Sequence, residues 1–373
     1  MIDDLHLAED VLPGHPDRLA DGIAERIVTE ALAVDPLALV GVEVAVHRRV
    51  VFVTGRIAAG GRAGLPSGLR RDDVAAWAWE VYDRAGYRDR WRLHPTVTTD
   101  LDVGPLGDDE AAIRRFSDDQ NVVTGHATGT AATGWLPPGP YIARRLRDAL
   151  GRARRQDPDR LGPDGKVLVH LEEEDGTLRW KRCNVAIQHG PRVGAEEVHQ
   201  LVVPQLAAAS AGLEGALPGV GSTFDPDLVR LNGIGDFTCG GPKGDNGLSG
   251  KKLVVDHYGP GVPIGGGALC GKDPHKVDRA GALAARQLAV RLVAGGHARS
   301  ATVWLGWLPG RETPDVLAAR VDGAWWDATR LAAATPLPDL SIKGITTRLE
   351  LAALRWGDIA AAGYFGNHWP WER

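Results

Sequence analysis

Residues 240–279 bring closely spaced glycines and five lysines into one stretch, GGPKGDNGLSGKKLVVDHYGPGVPIGGGALCGKDPHKVDR. The whole chain has only eight lysines, because arginine supplies most of its positive charge. Glycine lets backbone amides come close to an anion, and the flexible ammonium of lysine can follow a charge that moves during a reaction. The stretch therefore predicts a polyphosphate site.

Size and composition narrow the class of protein. At 373 residues the chain exceeds one typical domain, so two or three substructures are expected. A net charge of −5 argues against a general nucleic-acid binder. Cys183, Cys239 and Cys270 lie far apart without CxxC spacing, which indicates neither a zinc site nor a disulfide framework. No signal sequence or apolar run of membrane length is visible, so we expect a soluble cytoplasmic protein.

The N-terminal part predicts a helix that begins within residues 14–22, GHPDRLADG. Apolar residues recur every four positions from Leu19 and Ile23 onwards, as on the buried face of a helix. Asp17 stands where an N-cap is expected, and His15 is presented at the same helix end. A capping and turn role for these two residues is as open at this point as a functional one.

The following segments predict a hairpin and a helix. Residues 42–57 form two alternating runs of β-branched residues, with Glu43 and Arg56 near the two ends of the hairpin. Residues 72–84 have the apolar spacing of an amphipathic helix. Residues 103–121 are polar and rich in turn formers, which favours a mobile loop with a short helix, a type of segment that often acts as a lid.

The patterns further along predict helices over 141–152, 198–209 and 277–293, short strands over 237–239 and 253–256, and a strand over 302–307. Asp164 and Lys166 are expected on a turn that enters a strand. Pro204 should kink or shorten its helix, because proline removes a backbone hydrogen bond. Asp278 falls in the first turn of its helix, beside the positive end of the dipole. The aromatic residues of 363–373 are expected to pin down the C-terminus.

The order of these elements predicts an α+β fold. Hairpins and helices follow one another without a regular strand–helix alternation, which disfavours a doubly wound parallel sheet. The glycine strings GGP and GGGA match neither the GxGxxG fingerprint nor a GxxxxGK[ST] loop. Dinucleotide-binding and P-loop folds are therefore not predicted.

Four pieces of the chain carry a more specific signal: GHPDRLADG, GPDGK, GDFTCGGPKGDNGLSGKK and GGGALCGKDPHKVDR. Together they resemble the S-adenosylmethionine synthetase (methionine adenosyltransferase) family, whose corresponding segments read GHPDK, PDAK, GRF-GGP-GD-GLTGRK and GGGAFSGKDP-KVDR. Order and spacing agree from about residue 8 to the C-terminal GYFG and WPWE. The resemblance covers almost the whole chain and identifies it as a divergent member.

The resemblance implies a fold and a reaction. The fold would consist of three similar α+β units with pseudo-threefold symmetry, which we place at 1–100, 113–230 and 231–373. The protein would be a homodimer or a dimer of dimers with active sites between subunits. In the implied reaction, the sulfur of methionine attacks C5′ of ATP and expels tripolyphosphate, which is hydrolysed to pyrophosphate and phosphate. Cations aimed at the leaving charge would stabilise the transition state.

The resemblance also implies site residues, matched by motif. His15, Lys166, Lys272 and Lys276 would be catalytic, with His15 near C5′. The ATP and phosphate contacts would be Asp164, Phe237, Asp245, Lys251, Lys252 and Leu305, where Phe237 and Leu305 sandwich the adenine. The acceptor would meet Arg56, Asp119 and His126. Asp17 and Asp278 would hold Mg²⁺, and Glu43 would be linked to K⁺.

The departures from the family fall on the amino-acid side. The Gly-Gly-Glu whose carboxylate holds the methionine ammonium is Thr54-Gly55-Arg56 here, and a fixed cation there would repel an α-ammonium. The segment GAGDQGLMFGYA becomes FSDDQNVVTGHA over 116–127. Three hypotheses stay open: a methionine adenosyltransferase, an adenosyltransferase with another, possibly anionic acceptor, and a non-catalytic regulatory paralogue, which the intact phosphate residues disfavour.

Overall fold

The computed structural model describes residues 5–61 and 69–373. The strands are β1 Leu5–Val11, β2 Leu39–His47, β3 Val50–Ala58, β4 Thr96–Gly104, β5 Asn121–Thr128, β6 Leu161–Glu174, β7 Thr177–His189, β8 Val229–Leu231, β9 Asn246–Leu248, β10 Ser300–Trp307, β11 Val316–Val321 and β12 Ala324–Asp327. The helices are α1 Pro16–Val34, α2 Arg71–Ala85, α3 Asp108–Ile113, α4 Pro138–Gln156, α5 Ala195–Ala211, α6 Leu253–Asp256, α7 Val277–Ala294, α8 Ala328–Ala334, α9 Ile342–Arg348 and α10 Trp356–Ala362.

The strands of the described residues form three four-stranded sheets, with the orders β1-β6-β7-β8, β4-β3-β2-β9 and β12-β11-β10-β5. Most neighbouring strands are antiparallel, while β3–β4 and β7–β8 are parallel. This mixture of hairpins and packed helices confirms the α+β class. Each sheet combines strands that are distant in sequence, and the boundaries 1–100, 113–230 and 231–373 stay a prediction.

Helices α1 and α7, both predicted from the sequence, pack into the core of the fold. In α1, Leu19 and Ile23 are fully buried as the four-residue spacing predicts. Its N-cap is His15 and not Asp17, because the His15 ring accepts the Asp17 amide while Asp17 already lies inside the helix. Helix α7 is buried on nearly every face against β5 and β10. None of the helices in the described ranges is long and apolar enough to cross a membrane.

Three local predictions were wrong. Residues 253–256 form the single turn of α6 and not a strand, since a four-residue apolar run has too few positions to separate the two periods. Residues 237–239 form no strand, because the Phe237 amide bonds the His189 ring and so leaves the ladder. Helix α5 continues through Pro204, since apolar residues on both sides of the proline are buried.

Asp164 and Lys166 also differ from the prediction, because they lie inside β6 and not on the turn before it. The pairing of β6 with β7 shifts register between Leu161 and Gly165, and this irregularity explains the turn-like sequence. At the C-terminus, the aromatic residues Tyr364, Phe365 and Trp371 are buried to within 1%. The prediction that they pin the terminus is confirmed.

Candidate active site

The 240–279 stretch lies along one edge of β2. Strand β9 pairs with one end of β2, and at the other end the Val42 amide donates to the Gly271 carbonyl at 2.9 Å. A Cβ at position 271 would lie 2.4 Å from the Val42 oxygen, and one at position 247 would lie 2.2 Å from the carbonyl carbon of Pro16. Both positions require glycine, so these close approaches set the position of the lysines relative to α1.

Asp17 is the centre of a first group of charges, the Asp17 cluster, formed by His15, Asp17, Lys251 and Lys252. Its carboxylate is 1% exposed and accepts the Leu248 amide at 3.1 Å. The Lys252 Nζ lies 2.8 Å from its other oxygen. Burial alone would raise the pKa of Asp17, but the hydrogen bonds from Lys252 and Leu248 outweigh it and hold that pKa below its usual value. Asp17 is therefore ionised at neutral pH.

His15 is a neutral donor within this cluster. Its Nδ1 accepts the Asp17 amide at 3.2 Å, which assigns the ring proton to Nε2. Burial, together with the charges of Lys166 and Lys252, lowers the pKa of His15 to about 3. The Nε2 atom is buried and has no hydrogen-bond partner among the described residues. A buried N–H without a partner is costly, and a ligand oxygen would satisfy it.

A second group, the Asp278 cluster, consists of Lys272, Lys276, Asp278 and Asp118. The Lys272 Nζ lies 2.6 Å from Asp278 Oδ1, and Lys276 donates to the Asp118 carboxylate. A Cβ at position 267 would lie 1.6 Å from Asp278 Oδ1, so glycine at this position leaves space for the carboxylate. The sequence prediction missed Asp118. The two adjacent acids in DDQ were the sequence signal that could have indicated it. Asp119, the acid that was predicted, is exposed and accepts the Gln120 amide.

The residues predicted around the nucleoside lie beside the first cluster. Asp164 is 4% exposed and accepts the Gly241 amide at 2.7 Å. Burial raises the pKa of Asp164 to about 6, against the opposing effects of the Gly241 amide and the Lys166 charge. Phe237 is half-buried three positions before Gly240, whereas Asp245 is exposed. Lys166 is exposed on β6.

Two predicted residues stand apart from both clusters. Leu305 is fully buried in β10. His126 is 7% exposed, with its Nδ1 2.9 Å from the Thr302 hydroxyl and its ring 5.7 Å from that of Tyr258. Burial first, and then the Arg286 charge, lowers the pKa of His126 to about 3. Among the described residues, neither is hydrogen-bonded to a member of either cluster, and their ligand contacts remain predictions.

Arg56 is not a free cation. Its guanidinium contacts Glu110 on α3 at 2.7 Å and Asp102 on β4 at 2.7 Å. The side chain is 33% exposed. Burial alone would lower the pKa of Arg56, but the hydrogen bonds and charges of Glu110 and Asp102 outweigh it and raise that pKa. Two carboxylates distant in sequence thus offset the charge of Arg56, a feature that the sequence did not show, and its role toward the acceptor stays a prediction.

The 107–118 segment contains the predicted short helix, and ion pairs hold it on both sides. Glu110 bonds Arg56 as described, and at the other end of α3 Arg114 donates to the buried Asp273. Although burial favours the neutral acid, Arg114 and His275 hold the pKa of Asp273 below its usual range. The segment thus links Arg56 to the 240–279 stretch. Lid motion remains a prediction.

The residues fit a magnesium ion that is shared with phosphates. No described group of three or more His, Cys, Asp or Glu side chains is arranged to hold a metal. Asp17 nevertheless offers an ionised carboxylate among lysines, and Asp278 provides a second acidic side chain. Mg²⁺ in phosphate sites often uses one or two carboxylates, with water and phosphate oxygens as further ligands. Glu43 is exposed and accepts the Ser249 hydroxyl at 2.7 Å, a single carboxylate that suits a weakly held cation.

Comparison with known proteins agrees with these motifs. Residues 3–98 match the N-terminal domain of S-adenosylmethionine synthetase, and residues 239–373 match its C-terminal domain. The chain is 33% identical to the S-adenosylmethionine synthase of Zymomonas mobilis, an alignment that covers 99% of this chain and 96% of the relative. The chain belongs to the S-adenosylmethionine synthetase family. Membership supports adenosyl transfer chemistry in general and places the chain in a family of transferases.

Other relatives of this synthetase-family chain agree. The S-adenosylmethionine synthase of Paramagnetospirillum magneticum is 33% identical, over 97% of this chain and 92% of the relative. A solved structure, described as an unusual S-adenosylmethionine synthetase from Campylobacter jejuni, superposes with a TM-score of 0.85 at 26% identity. That superposition covers 99% of this chain and 97% of the other, so the fold of the family extends over the whole chain.

Proposed function

We propose that this protein transfers the 5′-adenosyl group of ATP to the sulfur of methionine and releases phosphate and pyrophosphate. The observation that carries the proposal is His15, a neutral buried imidazole in the field of Lys166 and Lys252. Its Nε2–H has no partner in the part of the chain that the structure describes. Such a donor suits an oxygen that gains negative charge as the C5′–O bond of ATP breaks. Methionine sulfur attacks C5′ directly, so the chain needs no covalent nucleophile.

The lysines of the two clusters would receive the leaving tripolyphosphate. Lys251, Lys252, Lys272 and Lys276 each lie beside a carboxylate, which holds these ammonium groups in position before a ligand arrives. Asp17 and Asp278 would hold Mg²⁺, whose charge would offset part of the phosphate charge. The lysines would then pair with phosphate oxygens, and Glu43 would be linked to K⁺.

The acceptor is proposed to be methionine because of the contacts of Arg56. The sequence alone predicts repulsion between Arg56 and an α-ammonium, but Glu110 and Asp102 offset that charge. The alternative, the same ATP chemistry with a different and possibly anionic acceptor, is favoured by the changed 116–127 segment. A non-catalytic paralogue is disfavoured, because a binding protein need not retain both carboxylates together with a complete set of lysines.

The assembly is proposed to be a homodimer or a dimer of dimers with sites between subunits, in the cytoplasm. Within the described chain, no hydrogen bond or ion pair joins the Asp17 cluster to the Asp278 cluster. This separation supports a site that a second subunit completes.

The test is to incubate the purified protein with ATP, Mg²⁺ and K⁺, with and without methionine, and to follow phosphate release and adenosyl products by mass spectrometry. The expected products with methionine are S-adenosylmethionine, pyrophosphate and phosphate. Tripolyphosphate cleavage without a methionine-derived product would favour another acceptor. No turnover with methionine or with anionic thiols would favour the non-catalytic paralogue.

A further inference from the structure

A second concave surface lies where three segments meet: the turn from β2 to β3, the approach to β4, and the residues before β9. The cavity has a volume of about 620 Å³. Four cationic side chains line it, namely Arg48, Arg49, Arg92 and Lys243. None of them belongs to the Asp17 or Asp278 cluster.

The charge of this cavity is uncompensated. Its lining contains no carboxylate, and none of the four cations has an ion pair with any described residue. Some exposed arginines elsewhere in the chain are paired: Arg88 contacts Asp83 at 2.7 Å and Arg160 contacts Glu197 at 2.8 Å. Four converging positive charges on a chain of net charge −5 create a local positive potential that attracts anions.

Backbone contacts hold the three segments together. The Arg48 amide donates to the Pro242 carbonyl, and the Thr96 amide donates to the Arg49 carbonyl at 2.6 Å. Arg48 adopts a φ of +52°, a left-handed conformation that residues with a side chain rarely take. The position of the two turn arginines is thus set by backbone pairing to both neighbouring segments.

We propose that this cavity binds the phosphate groups of a small polyphosphate. Guanidinium groups match phosphate oxygens with two parallel hydrogen bonds, and the lysine adds a mobile positive charge. A volume of about 620 Å³ accommodates a ligand of that size. Leu93 and the Cys239 thiol also line the cavity and provide surface that is less polar than the four cations. The inference does not rest on the proposed function, because the two sites share no lining residue.

The alkylation rate of Cys239 can report whether a ligand occupies this cavity. It is exposed, whereas Cys183 and Cys270 are buried, so a neutral alkylating reagent such as iodoacetamide should modify Cys239 first. The rate of modification, followed by peptide mass spectrometry, is measured against increasing inorganic tripolyphosphate and, in a parallel series, against ATP. We expect saturable protection of Cys239 by tripolyphosphate. Protection by ATP without protection by tripolyphosphate would instead reflect binding at Phe237, the predicted adenine contact two residues before Cys239, and would overturn the proposal.

Variants test whether protection depends on the arginines of this cavity, and not on surface charge in general or on the lysine clusters. Arg49→Ala combined with Arg92→Ala should raise the half-protecting concentration by about tenfold or more, because charged hydrogen bonds are lost. The matched control, Arg152→Ala with Arg192→Ala, removes two exposed arginines outside the cavity and should leave protection unchanged. Lys272→Ala should also retain it. Absence of protection, equal weakening in the control pair, or loss of protection in Lys272→Ala would each overturn the proposal.

Discussion

The proposed phosphate side of this protein, the Asp17 and Asp278 clusters, is constructed differently from the proposed acceptor side around Arg56. On the phosphate side, glycine backbone contacts of 2.2–2.4 Å to a hypothetical Cβ leave no space for change, and Asp17 is 1% exposed. On the acceptor side, Arg56 is held by side-chain ion pairs to Asp102, which is 72% exposed, and to Glu110. Exposed pairs can be exchanged at little cost in stability, whereas close backbone contacts cannot. The change at Arg56 thus falls where side-chain pairs can be exchanged, whereas the changed 116–127 segment includes buried residues of β5.

The largest effect is expected from Lys272→Ala. Removing an ammonium that stabilises the leaving tripolyphosphate should reduce the rate of S-adenosylmethionine formation by about 10²–10³-fold. Initial rates with saturating ATP and methionine provide the measurement. Lys343→Ala, which removes an exposed lysine outside both clusters, is the matched control. A rate near that of the unmodified protein in Lys272→Ala would sink the assignment of the Asp278 cluster.

His15→Asn tests the donor separately from the fold. Asparagine is a good N-cap and can still accept the Asp17 amide, so the free energy of unfolding should change little. Loss of the Nε2–H should lower kcat by about 10²-fold, in the range of a lost acid or oxyanion donor. Thermal unfolding and steady-state kinetics on the same preparation distinguish the two effects. A large loss of stability with kcat unchanged would contradict the role of His15.

His126, predicted to contact the acceptor, is buried, unlike the exposed ion pairs around Arg56. The pH dependence of stability tests whether its neutral form is the buried one. Its folded pKa of about 3 lies below the unfolded value of about 6.5, so the unfolded chain binds more protons between these pH values. Its contribution to stability is therefore complete above pH 6.5 and is lost as the pH falls. From pH 7 to pH 5 this loss amounts to about 2 kcal/mol.

Denaturant unfolding of the unmodified protein and of His126→Asn at the two pH values measures this difference. The variant should lose about 2 kcal/mol less on acidification, because only the His126 titration is missing from it. Identical pH dependence in both proteins would mean that His126 is not buried in its neutral form.

The smallest effect is expected from Arg56→Gln. Because Glu110 and Asp102 already offset the guanidinium, its removal should change the KM for methionine less than tenfold and leave kcat nearly unchanged. Arg88→Gln, which breaks an exposed pair elsewhere, is the control. A large fall in KM confined to Arg56→Gln would instead show that this cation repels methionine, and the contrast between the two sides would have to be revised.

Much of the fold was readable from local pattern. The four-residue stripe of α1, the hairpin of β2 and β3, and the long helix α7 all lie where periodicity predicts them. Lys272 and Asp278 come from the same motif piece, and the structure places their side chains in direct contact. The prediction failed for short runs. Residues 253–256 are helical and not a strand, because four apolar residues fit the period of a helix as well as that of a strand.

The sequence by itself determined the family, the α+β class and the residue types of the phosphate side. Only the tertiary structure decided which charges meet. Asp17 contacts Lys252, Arg56 contacts Glu110, and Lys276 contacts Asp118 and not the neighbouring Asp119. These pairs depend on how distant elements pack, and an ion pair requires the two groups within about 4 Å. Local periodicity contains no information about such distances, so neither the neutralised Arg56 nor the uncompensated cavity at Arg48 and Arg49 was visible before the fold.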